Sequence, residues 1–461
     1  MSMLKKQAAP RFPWLILSTH VAEMFVVGML ILSLDVAGAA AIAPHSYSHS
    51  ARSRGPYSPG SSVVRTVPVG QGPGNLAVDH ATQRVFVLDG QIADGTSSAA
   101  QSGVSVLDAH TGQLLHTLLF ARSTHVVPPL VVDERRGHVF LLANSAIDAQ
   151  GNPTGTGSLL VLDATTGRLQ RTIRIGPTVD ALAMDAPAAR IYIGLVDRNS
   201  APTEQILVLD TTTERVRSVV HNTYVYVSVS TNTYGGPLIP DTRTGRLIVN
   251  EGDDVLILDI ATGHRRTVRV YGLVDDVAVD EQAGHVIVSN RVSNDPGSAI
   301  QVVDEATGQA INKIPSYSSS DPANDDGGDH LTVDKRAGRV FASLRYSHYS
   351  DSFNNLNVAS TRDGRFVNSV SLNQDGAAAV EIAVNERAGH TYVAVADYPN
   401  PPAVTYQATQ IDVFDDVSGR IINHLTVGHG PPALAVDAQD RRLFVANGGD
   451  NTVTVLDTTH L

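Results

Sequence analysis

The sequence contains no cysteine, which excludes disulfide bonds, thiolate metal sites, thiol nucleophiles and a lipidated cysteine anchor. Positive charge is also in short supply. The formal net charge is −12, from 34 lysines and arginines against 46 aspartates and glutamates. Because binding to nucleic acid requires a basic surface, the sequence excludes nucleic acid as a partner.

The common catalytic motifs are missing as well. The chain has no G-x-S-x-G elbow, no H-E-x-x-H motif, no Walker loop and no C-x-x-C-H haem attachment site. The usual sequence signatures of hydrolases, nucleotide-binding proteins and cytochromes are therefore lacking. This absence favours a binding role over an enzymatic one, although it does not decide between them.

Long hydrophobic runs are absent except near the N-terminus. Basic residues precede a mostly apolar stretch at 14–34, and small residues follow it up to position 43. This pattern predicts that residues 1–43 form a secretory signal peptide or, if uncleaved, a membrane anchor. Residues 44–62 are rich in serine, proline and arginine and predict a flexible linker. Both alternatives place the remaining chain outside the cytoplasm, secreted or at the cell surface.

The remainder of the chain, 63–461, is built from an internal repeat. One phrase consists of a short apolar strand that ends in aspartate, four turn residues, an arginine or histidine, and a second apolar run. It occurs eight times with a mean period of about 51 residues. The strand-ending residues are Asp79, Asp133, Asp185, Asp241, Asp280, Asp334, Asn385 and Asp437.

A second phrase alternates with the first and also occurs eight times. It is an alternating strand that usually ends in aspartate and a tight turn, as in VSVLDAHTG at 104–112. Each period thus holds four short strands, which predicts an all-β, eight-bladed β-propeller of four-stranded antiparallel blades. The last repeat ends after three strands, and an additional strand, 63–69, precedes the first repeat. We therefore expect this N-terminal strand to complete the last blade and close the ring.

The segment FVANGGDNTVTVLDTT at 444–459, preceded by VGHGPPALAVD at 427–437, resembles the YVTN β-propeller repeat family. The resemblance extends over 63–461 in weakening copies. It implies a propeller fold, and its lactonase-like members raise the alternative of a hydrolase. The WD-type repeat and the quinone-dependent propeller dehydrogenases both require tryptophan, and the only one here is Trp14 in the N-terminal segment.

The two faces of such a ring differ in the length of their loops. Four segments on one face are long, namely 89–103, 143–157, 344–355 and 396–409, and the other face carries short, uniform turns. Variable loops on a rigid scaffold are common binding surfaces. Tyr346, Tyr349 and Tyr398 lie in these segments and are candidate contacts for a partner, although they could equally well pack the loops against the scaffold.

Acidic residues predict a second feature at the central channel. When the blades are aligned at the start of the innermost strand, Asp276, His330 and Glu381 fall at that position, and Asp180, Asp275 and Asp329 fall one residue earlier. Together they form a candidate cation-attracting mouth. Carboxylate oxygens suit Ca²⁺ or Mg²⁺, with Asp275, Asp329 and Glu381 as candidate metal ligands. The alternative is that these carboxylates cap backbone N–H groups or face solvent.

Two functions follow from these patterns. The first is an exported, monomeric binding or scaffolding module that recognises a protein, glycan or small molecule on its long-loop face. The second is a metal-dependent hydrolase of the lactonase type, in which His330 would be the base and the ion would activate water.

Overall fold

The computed structural model describes residues 62–90, 101–147, 153–196, 205–221, 238–270, 272–291, 299–315, 327–348, 351–372, 377–397 and 409–461. All of them belong to the second of two units into which the chain divides, Met1–Pro59 and Gly60–Leu461. Every regular element in these ranges is a β-strand. Among the described residues, none forms a helix with the length and apolar character required to cross a bilayer.

The strands assemble into eight antiparallel sheets of four strands, the blades. Blade 1 contains β2 (Asn75–Asp79), β3 (Arg84–Asp89), β4 (Gly103–Asp108) and β5 (Leu114–Leu119); blade 2 contains β6 (His125–Asp133), β7 (His138–Ile147), β8 (Pro153–Asp163) and β9 (Leu169–Gly176). Blade 3 contains β10 (Thr178–Asp185), β11 (Arg190–Val196), β12 (Gln205–Asp210) and β13 (Arg215–His221); blade 4 contains β14 (Leu238–Asp241), β15 (Arg246–Asn250), β16 (Asp254–Asp259) and β17 (Arg265–Arg269).

The remaining blades repeat the same order. Blade 5 contains β18 (Leu273–Asp280), β19 (His285–Arg291), β20 (Ala299–Asp304) and β21 (Ala310–Pro315); blade 6 contains β22 (Gly327–Asp334), β23 (Arg339–His348), β24 (Asp351–Ser360) and β25 (Phe366–Ser371). Blade 7 contains β26 (Ala377–Asn385), β27 (His390–Asp397), β28 (Gln410–Asp415) and β29 (Arg420–Thr426); blade 8 contains β30 (Ala433–Asp437), β31 (Arg442–Asn447), β32 (Thr452–Asp457) and β1 (Val63–Pro68).

The N-terminal strand closes the ring, as the repeat count predicts. β1 pairs antiparallel with β32, with Thr66 opposite Thr454 and Val67 opposite Val453. The innermost strand of each blade contacts the innermost strands of both neighbouring blades, including β2 and β30 across the closure. The fold is therefore an eight-bladed β-propeller in which the first and last strands of the chain share one sheet.

The apolar core is divided among the blade interfaces. The buried apolar residues form eight clusters, and each cluster lies between two adjacent blades. Alternation along a strand explains this arrangement, because successive side chains point toward opposite neighbours. In β3, Phe86 and Leu88 face blade 2, whereas Val85 and Val87 face blade 8. Each blade thus buries both of its faces.

The turn after each innermost strand is stabilised by its repeat aspartate. In blade 1, the Asp79 carboxylate accepts hydrogen bonds from Ala81 N (2.9 Å) and Thr82 N (3.1 Å) and so caps the turn. The fourth residue after the aspartate adopts a left-handed conformation in all eight blades. It is glycine in five blades, and Gln83, Ala189 and Arg441 occupy the position in the others.

Two of the segments predicted as long loops are partly strand. β23 and β24 pair from Arg339 opposite Ser360 to His348 opposite Asp351, so most of 344–355 is an extended hairpin. In blade 2, β7 and β8 likewise extend to Ile147 opposite Pro153. Most of the other two long segments lies outside the described residues.

Candidate functional site

The candidate mouth residues lie at a recurring irregularity of the innermost strands. In β10, β18 and β22 the register shifts by one residue, and the residues at the shift are Asp180, Asp275 and Asp329. β26 shifts in the same way between Ala379 and Glu381. A bulge redirects side chains and is common next to binding sites. The sequence alignment placed Asp276, His330 and Glu381 at the start of their strands, whereas the strands begin three or four residues earlier.

Asp276 connects blade 5 to blade 6. It is 8% exposed, and its Oδ2 accepts a hydrogen bond from Leu331 N at 2.8 Å. Asn75 forms the equivalent contact between blades 1 and 2, because its Oδ1 accepts from Leu130 N at 3.1 Å. One function of Asp276 is therefore structural, and it is a function that a neutral amide performs elsewhere in the ring.

Asp276 of blade 5 is ionisable, whereas Asn75 at the equivalent position of blade 1 is not. Burial raises the pKa of Asp276 to about 7, and repulsion from Asp275 contributes in the same direction. Burial also raises the pKa of Glu381, which lies two blades away, to about 8, and repulsion from Asp276 adds to the shift. Glu381 keeps part of its surface exposed to solvent. The two carboxyl groups are therefore close enough to interact electrostatically at the mouth of the channel.

The other candidates are only partly described. Asp180, Asp275 and His330 are half-buried, and each takes part in at least one further interaction. The backbone of Asp329 is placed in β22, next to His330, but its side chain lies outside the described part of the chain. The structure therefore brings Asp275, Asp276 and Glu381 together and does not test Asp329.

The candidate tyrosines are described least. Tyr346 lies in β23, where it is paired with Phe353 of β24, and nothing is described of its side chain. Tyr349 and Tyr398 lie outside the described residues. Their role in recognition stays a prediction.

The described residues do not assemble a metal centre. Among them, no group of three or more histidine, aspartate or glutamate side chains is arranged to hold a metal ion. The proposed ligand set of Asp275, Asp329 and Glu381 includes one side chain outside that search. The arrangement that the structure does show is a carboxyl pair, which can accept hydrogen bonds and attract a positive charge.

The sequence analysis did not identify a cavity on the opposite face. This cavity has a volume of about 520 Å³, and its lining includes His80, Arg336 and Arg387. All three follow a strand-ending residue of the first repeat phrase by one or two positions. The sequence signal that could have indicated this cavity is the recurrence of arginine just after the strand-ending residue. The sequence analysis passed over it because it treated these short turns as uniform.

Comparison with known proteins identifies the fold. No protein-family model matches the chain, and no match was found among curated proteins either. Among solved structures, BamB from Moraxella catarrhalis has a TM-score of 0.53 at 16% identity, over 86% of this chain and 99% of that one. The dihydro-heme d1 dehydrogenase NirN, solved in complex with DHE, has a TM-score of 0.54 at 12% identity, over 86% and 76%. At such low identity the likeness concerns the propeller fold alone.

Proposed function

We propose that the protein is an extracytoplasmic binding module and that its acidic mouth receives a positively charged group of the ligand. The observation that carries this proposal is the Asp276–Glu381 pair. Two carboxyl groups with pKa values of about 7 and 8 repel each other when both are ionised. A cationic group at the mouth relieves that repulsion, so binding energy is available there.

The proposal makes the affinity dependent on pH. A cation competes with the protons held by Asp276 and Glu381, since it interacts best with the ionised pair. Affinity should therefore rise from pH 6 to pH 9, and proton release should accompany binding near neutral pH. Burial of the mouth strengthens the attraction relative to an exposed carboxylate.

Calorimetric titration of the full chain with spermidine at pH 6, 7.5 and 9 tests this expectation. We expect binding that strengthens with pH and weakens at least tenfold in the double variant D276N/E381Q. Asp276→Asn retains the hydrogen bond from Leu331 N, as Asn75 shows in blade 1. D253N is the matched control, because Asp253 is an exposed carboxylate on the same face but away from the channel. Equal affinity in the double variant and the wild type would exclude the mouth as the site.

The hairpin of blade 6 is the proposed surface for a larger partner. It extends beyond the blade core and includes Tyr346 and the segment 349–350. Joining Leu344 to Asn355 through a two-residue turn removes the extension and preserves the register below it. We expect this variant to fold normally and to lose peptide or glycan ligands that the wild type binds on arrays. Undiminished array binding would place the recognition surface elsewhere.

A metal-dependent hydrolase is the alternative function. It requires Ca²⁺ or Mg²⁺ at Asp275, Asp329 and Glu381, with His330 as the base. A resident ion must raise the melting temperature, because it binds only the folded state. Thermal denaturation with and without 5 mM of each ion, followed by an assay on a simple lactone, therefore separates this function from simple binding.

Export is proposed from the N-terminal segment. Residues 1–43 would direct the chain across the membrane, and 44–62 would separate the propeller from the cleavage site or anchor. N-terminal sequencing of the mature protein tests this part. A mature chain that starts between 38 and 44 supports a signal peptide, and an intact N-terminus in the membrane fraction supports an anchor.

A further inference from the structure

The channel has a second mouth, on the face that carries the short turns between the first and second strands. The two residues after each strand-ending aspartate or asparagine form its rim. Six of these rim residues are basic and three are acidic. The basic ones are His80, Arg135, Arg243, Lys335, Arg336 and Arg387, and the acidic ones are Glu134, Glu281 and Glu386. The rim positions of this mouth therefore hold more basic than acidic side chains, in a chain whose net charge is −12.

The three rim glutamates are engaged in equivalent structural contacts. Each accepts a hydrogen bond from a backbone N–H of the preceding blade. The donors are His80 N to Glu134 (3.1 Å), Thr242 N to Glu281 (3.1 Å) and Lys335 N to Glu386 (3.2 Å). Their carboxylates therefore connect adjacent blades, and two of them also contact basic rim side chains. Glu134 Oε1 lies 2.7 Å from His80 Nδ1, and Glu281 Oε2 lies 3.4 Å from Lys335 Nζ.

Two rim arginines donate in the same direction, from their side chains to backbone carbonyls of the next blade. Arg243 Nε donates to Glu281 O of the next blade at 2.6 Å. Arg336 Nη1 donates to the carbonyl oxygens of Glu386 (3.0 Å) and Arg387 (3.1 Å) of the next blade. Guanidinium groups thus fasten blade 4 to blade 5 and blade 6 to blade 7.

Arg387 occupies the same repeat position in blade 7 but is not engaged in this way. Its side chain is exposed, and within the part of the chain that the structure describes its guanidinium forms no hydrogen bond or ion pair. It faces the 520 Å³ cavity, whose lining also includes Arg336, His80 and Glu386. Val384, Val436 and Ala438 add an apolar wall. The cavity volume is within the range of small-molecule sites.

We propose that this cavity binds a small carboxylate with an apolar body, held by the Arg387 guanidinium. A guanidinium presents two parallel N–H donors that match the two oxygens of a carboxylate. Arg336 adds a second positive charge, and the valines contact the apolar part. The site lies on the opposite mouth from the proposed cation site and involves none of its residues.

Saturation-transfer NMR on the full chain, with sodium hexanoate as the probe, tests the proposal. We expect hexanoate to bind. 1-Hexanol and inorganic phosphate should bind at least tenfold more weakly, because hexanol lacks the carboxylate and phosphate lacks the apolar chain. Removing the charged donor in R387Q should weaken hexanoate binding about tenfold or more. R387K keeps the positive charge but loses the two parallel N–H donors, so its affinity for hexanoate should lie between those of the wild type and R387Q.

R135Q is the matched control. Arg135 occupies the same repeat position in blade 2, is exposed, and is not part of the cavity lining. Hexanoate binding that is unchanged in R387Q, or reduced equally in R135Q and R387Q, would overturn the proposal. Phosphate binding as tight as that of hexanoate would overturn the requirement for an apolar body. Melting temperatures of the variants close to the wild type would show that the ring remains intact.

Discussion

Comparison between blades shows how one residue can differ from its repeat equivalents. Asp89 ends the second strand of blade 1, and Asn447 occupies the same position in blade 8. Asn447 donates to Thr452 (2.9 Å) and Thr454 (2.8 Å) and accepts from Gly428 N (3.1 Å). Asp89 is 1% exposed and accepts from the Ser105 hydroxyl at 2.6 Å. Burial outweighs this hydrogen bond and raises the pKa of Asp89 to about 6.

A stability change follows from replacing Asp89 by asparagine. An acid whose pKa is raised on folding destabilises the folded state as pH rises from its unfolded value, near 3.8, through its folded value, near 6. D89N removes this cost and can donate to Ser105, as Asn447 donates to Thr454. We expect D89N to unfold with a free energy about 1–2 kcal/mol higher than the wild type at pH 8. At pH 4 the difference should vanish; urea denaturation at both pH values measures it.

Asp108 provides a control of opposite sign in the same blade. Burial opposes ionisation there, but hydrogen bonds from Thr111 and attraction to Arg84 together outweigh it and lower the pKa of Asp108. Its stabilising contribution should therefore be present at neutral pH and be lost as pH falls. D108N should be less stable than the wild type at pH 7. A gain in stability for both variants at pH 7 would contradict this interpretation.

At the scale of an element, β1 determines whether the ring closes. Only Val67 of this strand is buried, and its remaining contribution is the ladder with β32. The strand therefore stabilises the fold mainly by covering a sheet edge that would otherwise expose backbone N–H and C=O groups.

Truncation measures the contribution of this strand. A chain that begins at Gln71 lacks β1, whereas a control that begins at Gly60 retains all described residues. We expect the shorter chain to lose roughly 3 kcal/mol or more of unfolding free energy and to self-associate through the free edge of β32. A synthetic peptide of residues 62–70 should restore the melting temperature. Equal stability of the two truncated chains would show that the closure contributes little.

At the scale of the whole molecule, one position differs from interface to interface. The residue after the third strand points toward the repeat aspartate of the preceding blade. Thr211 donates to Asp133 (3.2 Å), and Thr361 donates to Asp280 (2.5 Å). Blade 7 instead has Asp416 at this position, opposite Asp334, and it is fully buried. Burial, followed by the interaction with Asp334, raises the pKa of Asp416 to about 8.

The same position in blade 5 also carries an acid. Glu305 faces Asp241 of blade 4, and burial raises the pKa of Glu305, whereas hydrogen bonding lowers that of Asp241 despite its own burial. Arg246 Nη1 contacts Glu305 Oε1 at 3.1 Å and compensates part of its charge. The interfaces between blades 4 and 5 and between blades 6 and 7 are therefore the two in which this position pairs acid with acid.

The consequence is a fold that weakens toward alkaline pH. Asp416 binds its proton more tightly in the folded chain, so stability should decrease as pH rises from about 4 to about 8. D416T should reduce this decrease and raise the unfolding free energy by about 1–3 kcal/mol at pH 8.5, because threonine can donate to Asp334. Melting curves from pH 5 to 9 measure the effect. T361V, which removes the equivalent donor in blade 6, should be destabilised.

The fold could be predicted almost completely, because each repeat carries its strands and turns in local sequence. The closure of the ring was also predicted, because the last repeat ends after three strands and one additional strand, 63–69, precedes the first repeat. The bulge at Asp275 and the extension of β23 past Leu344 were not predicted. No turn residues mark either feature in the sequence. These features depend on pairing between strands rather than on local composition.

The candidate site was predicted in part for a related reason. Aligning the blades predicted that Asp276 and Glu381 would meet at one mouth, because equivalent repeat positions occupy equivalent places around an axis. The availability of Arg387 could not be predicted, since it depends on which arginines of the turn face donate across to the next blade. Arg336 and Arg387 are indistinguishable in the sequence pattern and differ only in their contacts.

The pairing of β1 with β32 also has a consequence for the order of events during synthesis. The first strand to leave the ribosome has its partner at the other end of the domain, so it must wait, unpaired, until nearly the whole chain has been made. At ~5–20 residues per second the delay is on the order of tens of seconds. Until β32 has been made, the backbone groups of β1 lack the strand with which they pair in the finished ring.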